Sequence, residues 1–235
     1  ANNETGAIQN IAGVAELARK NAAYVHTDAV QAFGKIDVNF ETLNVHAMTI
    51  SSHKIHGPQG AGALILDKRI DIAPFMLGGG QEKGLRSGTE NVAAIVGFGM
   101  ACELAIEKLH EHALHTQSLR QQLENGLHAL NATIFSPHAT RLPNTSFFAF
   151  PNIEGETLVM ALDKKGFAVA SGSACSSDST EPSHVLLAMG IAPDLARGAI
   201  RVSFDASNTV EQVSAFLTIL KQELKRLQQM VAMAA

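Results

Sequence analysis

Apolar residues recur at Ile8, Ile11, Val14, Ala15, Leu17 and Ala18, the spacing of one helical face, and Arg19, Lys20 and Asn21 close it. Tyr24-Val25-His26-Thr27 reads as a short strand ending at Asp28. Ala47-Met48-Thr49-Ile50 reads as a second strand, ending at Ser51-Ser52-His53-Lys54. Gly60 to Leu66 turns from small to apolar and stops at Asp67-Lys68. Gly78-Gly79-Gly80 to Gly88-Thr89 is too rich in glycine for a regular element. Long helices are predicted from Asn91 to about Leu109 and from about Thr116 to Leu130. Further on, 146–150, 168–170 and 200–204 read as strands, and 154–163 as a helix. Thr209 with Gln212 three residues later is a capping box, opening a last helix to about Met230 and an Ala-rich tail expected to fray.

This alternation suits part of one α/β layer over about residues 1–100. A smaller α+β domain is expected over 101–235, including the long linking helix.

Two strand ends carry candidate chemistry. An apolar strand delivers Lys54 into a Gly57-Pro58 turn, and a lysine in such a place can lose its proton and form a Schiff base with a carbonyl. The neighbouring hydroxyls and His53 suit an anion such as phosphate. Asp28 ends a different strand; if buried, it needs a cationic partner, and a protonated pyridine nitrogen would be one. Gln31 follows within reach of the same ring. Singly, a surface lysine and a capping aspartate explain these residues as well. Together, at the carboxyl ends of two strands of one sheet, they point to a ligand.

Composition narrows the classes. The formal net charge is −4 and no Lys/Arg cluster stands out, so neither nucleic acid nor an anionic membrane is expected as a partner. No run of 18 apolar residues predicts a membrane-crossing helix, and the opening residues have no secretory pattern. Cys102 and Cys175 are too few for a disulfide scaffold, so a reducing, cytoplasmic setting is expected. His53 and His56 lack a matching carboxylate or cysteine set, so no metal is expected. Cys102 lies in an apolar helix and reads as a buried hydrophobe, whereas the small, polar context of Cys175 is one that exposes a reactive thiol.

The ordered set of segments resembles the fold-type-I pyridoxal 5'-phosphate (PLP) enzymes of the aminotransferase class V group, specifically cysteine desulfurases of the NifS/IscS type. The segments are 2–6 (Asn-Asn-Glu-Thr-Gly), 26–31 (His-Thr-Asp-Ala-Val-Gln), 51–54 (Ser-Ser-His-Lys), 78–82 (Gly-Gly-Gly-Gln-Glu), 86–89 (Arg-Ser-Gly-Thr), 171–175 (Ser-Gly-Ser-Ala-Cys) and 200–203 (Ile-Arg-Val-Ser). The resemblance covers nearly the whole chain. It implies that Lys54 holds PLP and shuttles protons, that Asp28 pairs with the pyridinium and that Gln31 bonds the ring hydroxyl. Asn3 would lie beside the ring and the substrate carboxylate, and Ser51 and His53 would bind the phosphate. Thr89 would bind the phosphate of a neighbouring subunit, implying a homodimer. Arg201 would clamp the α-carboxylate of L-cysteine, and Cys175 would receive the sulfur as a persulfide. Alanine would be released, with the sulfur passing to an acceptor or scaffold protein of iron–sulfur cluster assembly.

The same residues leave room for a selenocysteine lyase, a small-substrate aminotransferase, or a non-catalytic module that docks sulfur acceptors. The chain opens on Ala1-Asn2-Asn3 without Met, and members of the family carry a further N-terminal part that completes the sheet and the cofactor cradle. The chain alone is therefore expected to be inactive.

Overall fold

A computed structural model describes residues 1–172 and 181–234, with side chains described to residue 230. The chain divides into two compact units: Ala1 with Gln9–Leu109, and Asn2–Ile8 with His110–Ala235.

The first unit begins with α1 (Ile11–Lys20), whose N-cap Asn10 accepts from Gly13 N at 3.0 Å. β1 (His26–Asp28) follows, then α2 (Phe40–Leu43), capped by Asn39 and ended by Asn44 in the left-handed region. β2 (Ala47–Ser51) pairs parallel with β1, placing Asp28 opposite Thr49, and β3 (Gly62–Leu66) returns antiparallel to β2. The sheet order is β1-β2-β3. α3 (Val92–Glu107) is capped by Asn91. It buries Ala94, Phe98 and Ala101, while Val92, Val96 and Met100 on its other side are exposed. Phe98 and Ala101 join Ala15, Ala29, Val45, Met48, Ile50 and Ile55 in one apolar core.

The second unit opens with α4 (Leu109–Ala129), which starts well before the expected Thr116. The intervening His110, Glu111, His112 and His115 carry no apolar period, yet the backbone coils through them because Leu119, Leu123 and Leu127 anchor the helix further on. β4 (Thr133–Ile134), β5 (Thr145–Ala149), α5 (Gly155–Asp163), β6 (Ala170–Ser171), α6 (His184–Ala188), α7 (Pro193–Arg197), β7 (Ile200–Ser203) and α8 (Val210–Ala234) complete it. The predicted capping box forms at the start of α8: Thr209 N donates to Gln212 Oε1 at 3.1 Å, and Gln212 N to Thr209 Oγ1 at 3.3 Å. α8 runs through Ala234, past the expected end near Met230.

The antiparallel sheet has the order β4-β5-β7-β6. Side chains alternate between its faces. Phe148, Ile200 and Val202 pack on the leucines of α4, α5 and α8. Phe147 and Ala149 pack with Leu186 of α6 and Ala196 of α7 on the other face.

The segment Asn2–Ile8 belongs to this unit. Leu142 N donates to Gly6 O at 2.9 Å and Ile8 N to Thr140 O at 2.9 Å. Gly6 has φ 73°, a conformation in which glycine carries no side-chain penalty. The partner loop is itself gripped by α4. Arg141 makes a bidentate pair with Glu124 (2.8 and 3.0 Å), and Arg120 Nη1 donates to Leu142 O at 2.7 Å.

Candidate functional site

β2 runs straight into a 3-10 turn, Ser52–Ile55. In such a turn residues three apart share a side. Ser52 and Ile55 are accordingly buried, and His53 and Lys54 face outward. Burial of Ile55 in the core contributes about 1.5–3 kcal/mol toward holding this register. His56 ends the turn at φ 65°, and Gly57 lies so close to the turn that a Cβ there would overlap Ser52 Oγ and sit 3.0 Å from Ala101 Cβ of α3. Lys54 is thus held on a rigid, inward-anchored turn with its amine outside.

Because β1 and β2 are parallel, Asp28 and the Lys54 turn lie at the same end of the sheet. Ala29 N donates to Thr49 O at 2.9 Å, tying the two strand ends together. Asp28 is exposed. It stands where β1 stops and the chain turns, and Oδ1 accepts from Val30 N at 2.8 Å. Gln31 Oε1, half-buried, accepts from Lys35 Nζ at 2.8 Å. Ser51 Oγ and His53 Nδ1 are 2.9 Å apart, and His26 Nε2 is 2.6 Å from Thr49 Oγ1. Amine, carboxylate, amide, hydroxyl and imidazole groups therefore gather at one sheet end. Thr89 is exposed in the irregular stretch after Arg86, whose backbone bridges Met76.

In the second unit, Arg201 lies in the middle of β7, opposite Phe147 on β5 and Ala170 on β6. It is half-buried, and its Nη1 donates to the carbonyl of Asn3 at 2.8 Å. In the same unit, Ser183 Oγ donates to Glu4 Oε2, and Ser183 Oγ accepts from Leu186 N at 3.2 Å as the cap of α6. Glu4 and Ser183 were not singled out in the sequence. Ser183 ahead of an apolar run is a cap signal, but nothing local pairs it with Glu4.

Cys175 lies outside the described residues. Cys102 is half-buried on α3, and burial pushes its thiol above the ordinary value. Among the described residues there is no grouping of three or more His, Cys, Asp or Glu suited to a metal, and no helix is long and apolar enough to cross a membrane.

Residues 1–216 match the family model described as Aminotransferase class-V. A cysteine desulfurase of Gluconacetobacter diazotrophicus is 43% identical over 232 residues, covering 98% of this chain and 58% of that protein. A NifS-like protein from Rickettsia africae superimposes with a TM-score of 0.88 at 39% identity, covering 94% of this chain and 59% of that one. A structure of SspA in complex with cysteine matches with a TM-score of 0.69 at 30% identity over 89% of this chain. The chain spans somewhat under three fifths of the length of these relatives.

Proposed function

Since the chain belongs to the aminotransferase class-V family and has the PLP fold type I of NifS-like proteins, we propose that it is the lysine-bearing part of a PLP-dependent cysteine desulfurase. The observation that carries this reading is the pairing of Lys54 and Asp28 at one end of two parallel strands. The donor set fits the cofactor. Lys54 offers the amine for the aldehyde, Asp28 a carboxylate for the ring nitrogen, Gln31 an amide for the ring hydroxyl, and Ser51 with His53 a hydroxyl and imidazole for the phosphate. Asn3 would lie beside the ring, and Thr89 would meet the phosphate of a second copy in a homodimer. When bound, PLP supplies an electron sink that eases removal of a proton from the amino acid's α-carbon.

The chain's own groups then divide the work. Arg201 presents a planar fork of donors to the α-carboxylate of L-cysteine. Lys54 takes the α-proton at Nζ and returns protons as the reaction closes. The Cys175 thiolate attacks the substrate sulfur, an S–S bond forms as the Cβ–S bond breaks, and the carbon product is protonated to alanine. The persulfide left on Cys175 passes to an acceptor protein. L-cysteine as substrate is supported by the kinship with a cysteine desulfurase and with a protein solved in complex with cysteine.

The test is the visible absorption spectrum of the purified chain with added PLP, beside Lys54→Ala. A band that requires Lys54 is expected. A band of equal intensity in Lys54→Ala would overturn the assignment of Lys54.

A further inference from the structure

Asn2–Gly6 is a closed turn. Asn2 Oδ1 accepts from Glu4 N (3.0 Å), Thr5 N (2.8 Å) and Thr5 Oγ1 (3.1 Å), and Gly6 N donates to Asn2 O at 3.1 Å. The turn displays one carbonyl, that of Asn3, to Arg201 Nη1. Its next residue, Glu4, is 5% exposed and accepts from Ser183 Oγ. Ser183 is 4% exposed and already serves as the cap of α6. Gly172 closes the other side of this spot: a Cβ there would stand 2.7 Å from Phe147 Cζ and 3.4 Å from Ser183 Cβ. Phe147 is in turn the register partner of Arg201.

A helix cap needs a hydroxyl acceptor, which Ser183 provides without Glu4. A buried carboxylate is costly and is a poor choice for stability alone, because an apolar side chain of like size would serve as well. What the carboxylate adds is direction. It pins the residue next to Asn3 against a fixed helix end, and so fixes the carbonyl that orients Arg201. We infer that Glu4 is a positioning residue, holding the Asn3 carbonyl so that the Arg201 guanidinium is aimed at a ligand carboxylate. This rests on the reading of Arg201 as the α-carboxylate anchor.

The experiment uses the whole chain, ¹⁵N-labelled in arginine, with the Arg201 side-chain signals assigned through Arg201→Lys. A guanidinium fixed by a hydrogen bond rotates slowly about Nε–Cζ and shows separate Nη signals. Glu4→Asp, one methylene too short to reach Ser183, is expected to merge those signals with an unchanged thermal midpoint. It is also expected to weaken binding of L-alanine, the carboxylate probe, on the order of tenfold. Glu4→Gln keeps an acceptor for Ser183 and is expected to restore both readouts. Should Glu4→Asp fail to fold, Ser183→Ala breaks the same bond from the other side and is expected to show the same losses. Unmerged Nη signals, or equal L-alanine affinity, in the short variant would overturn the inference while leaving the Arg201 reading intact. If L-alanine leaves the wild-type Arg201 signals unmoved, the carboxylate reading of Arg201 fails instead, and the Nη signals alone still judge Glu4.

Discussion

Asp28 stands in register opposite Thr49 on the parallel neighbour strand, five residues before Lys54 in the turn that follows that strand. An exposed carboxylate at that place has little structural work beyond its bond to Val30 N. Asp28→Asn keeps an Oδ1 acceptor for that bond and removes the charge. The thermal midpoint is expected to stay within about a degree, surface changes of this kind being worth under ~0.5 kcal/mol. The Kd for added PLP is expected to rise about tenfold, the loss of one charge-assisted pairing. An absorbance titration of both proteins checks this, and an unchanged Kd would remove Asp28 from the cofactor set.

The turn that carries Lys54 depends on the absence of a side chain at Gly57. A Cβ there would overlap Ser52 Oγ and press on Ala101 Cβ at 3.0 Å and Ser52 O at 3.2 Å. Gly57→Ala is expected to destabilise the first unit by about 1–3 kcal/mol, since the turn or α3 must shift. Urea unfolding followed by circular dichroism measures it. An unaltered midpoint would show that the turn has slack.

Arg141 is paired with Glu124 at side-chain exposures of 6% and 15%, with Arg120 close by. Burial first, and then the charge on Arg141, lower the proton affinity of Arg120, while Glu124 works in the opposite sense. Glu124→Ala leaves two guanidinium groups facing each other without their anion. A loss of about 3–5 kcal/mol is expected, the cost of stranding a buried charge. Chemical denaturation of the variant tests this, and a loss below ~1 kcal/mol would mean that water compensates the pair.

Cys102 and Cys175 are expected to differ in reactivity. Burial raises the thiol of Cys102, so little of it is thiolate at neutral pH. Iodoacetamide at pH 7.5, followed by peptide mass spectrometry, is expected to label Cys175 first and Cys102 slowly, with Cys102 catching up in urea. Rapid labelling of Cys102 in the folded chain would contradict this.

What the sequence disclosed was governed by range. The Thr209–Gln212 capping box, the strand leading to Lys54 and the apolar face of α1 are contests among residues a few positions apart, and each could be read from spacing alone. The start of α4 could not, because its first turns are polar and owe their shape to leucines further along. The exposure of Asp28 could not be read, because strand ends are exposed or covered according to what packs over them, which no local pattern records. The Glu4–Ser183 bond spans 179 positions, and two polar residues that far apart leave no mark on each other's neighbours.

The second unit includes Asn2–Ile8, which precedes the first unit's Gln9–Leu109 in sequence, and the bond from Arg201 to Asn3 closes a separation of 198 positions. During vectorial synthesis Asn2–Ile8 therefore waits, while Gln9–Leu109 is added, for partners not yet made. The Gly6 carbonyl gains its hydrogen bond only when Leu142 has emerged, and the Asn3 carbonyl meets its arginine only after Arg201 has been added. The segment Asn2–Ile8 thus acts as a late latch of the second unit rather than its seed.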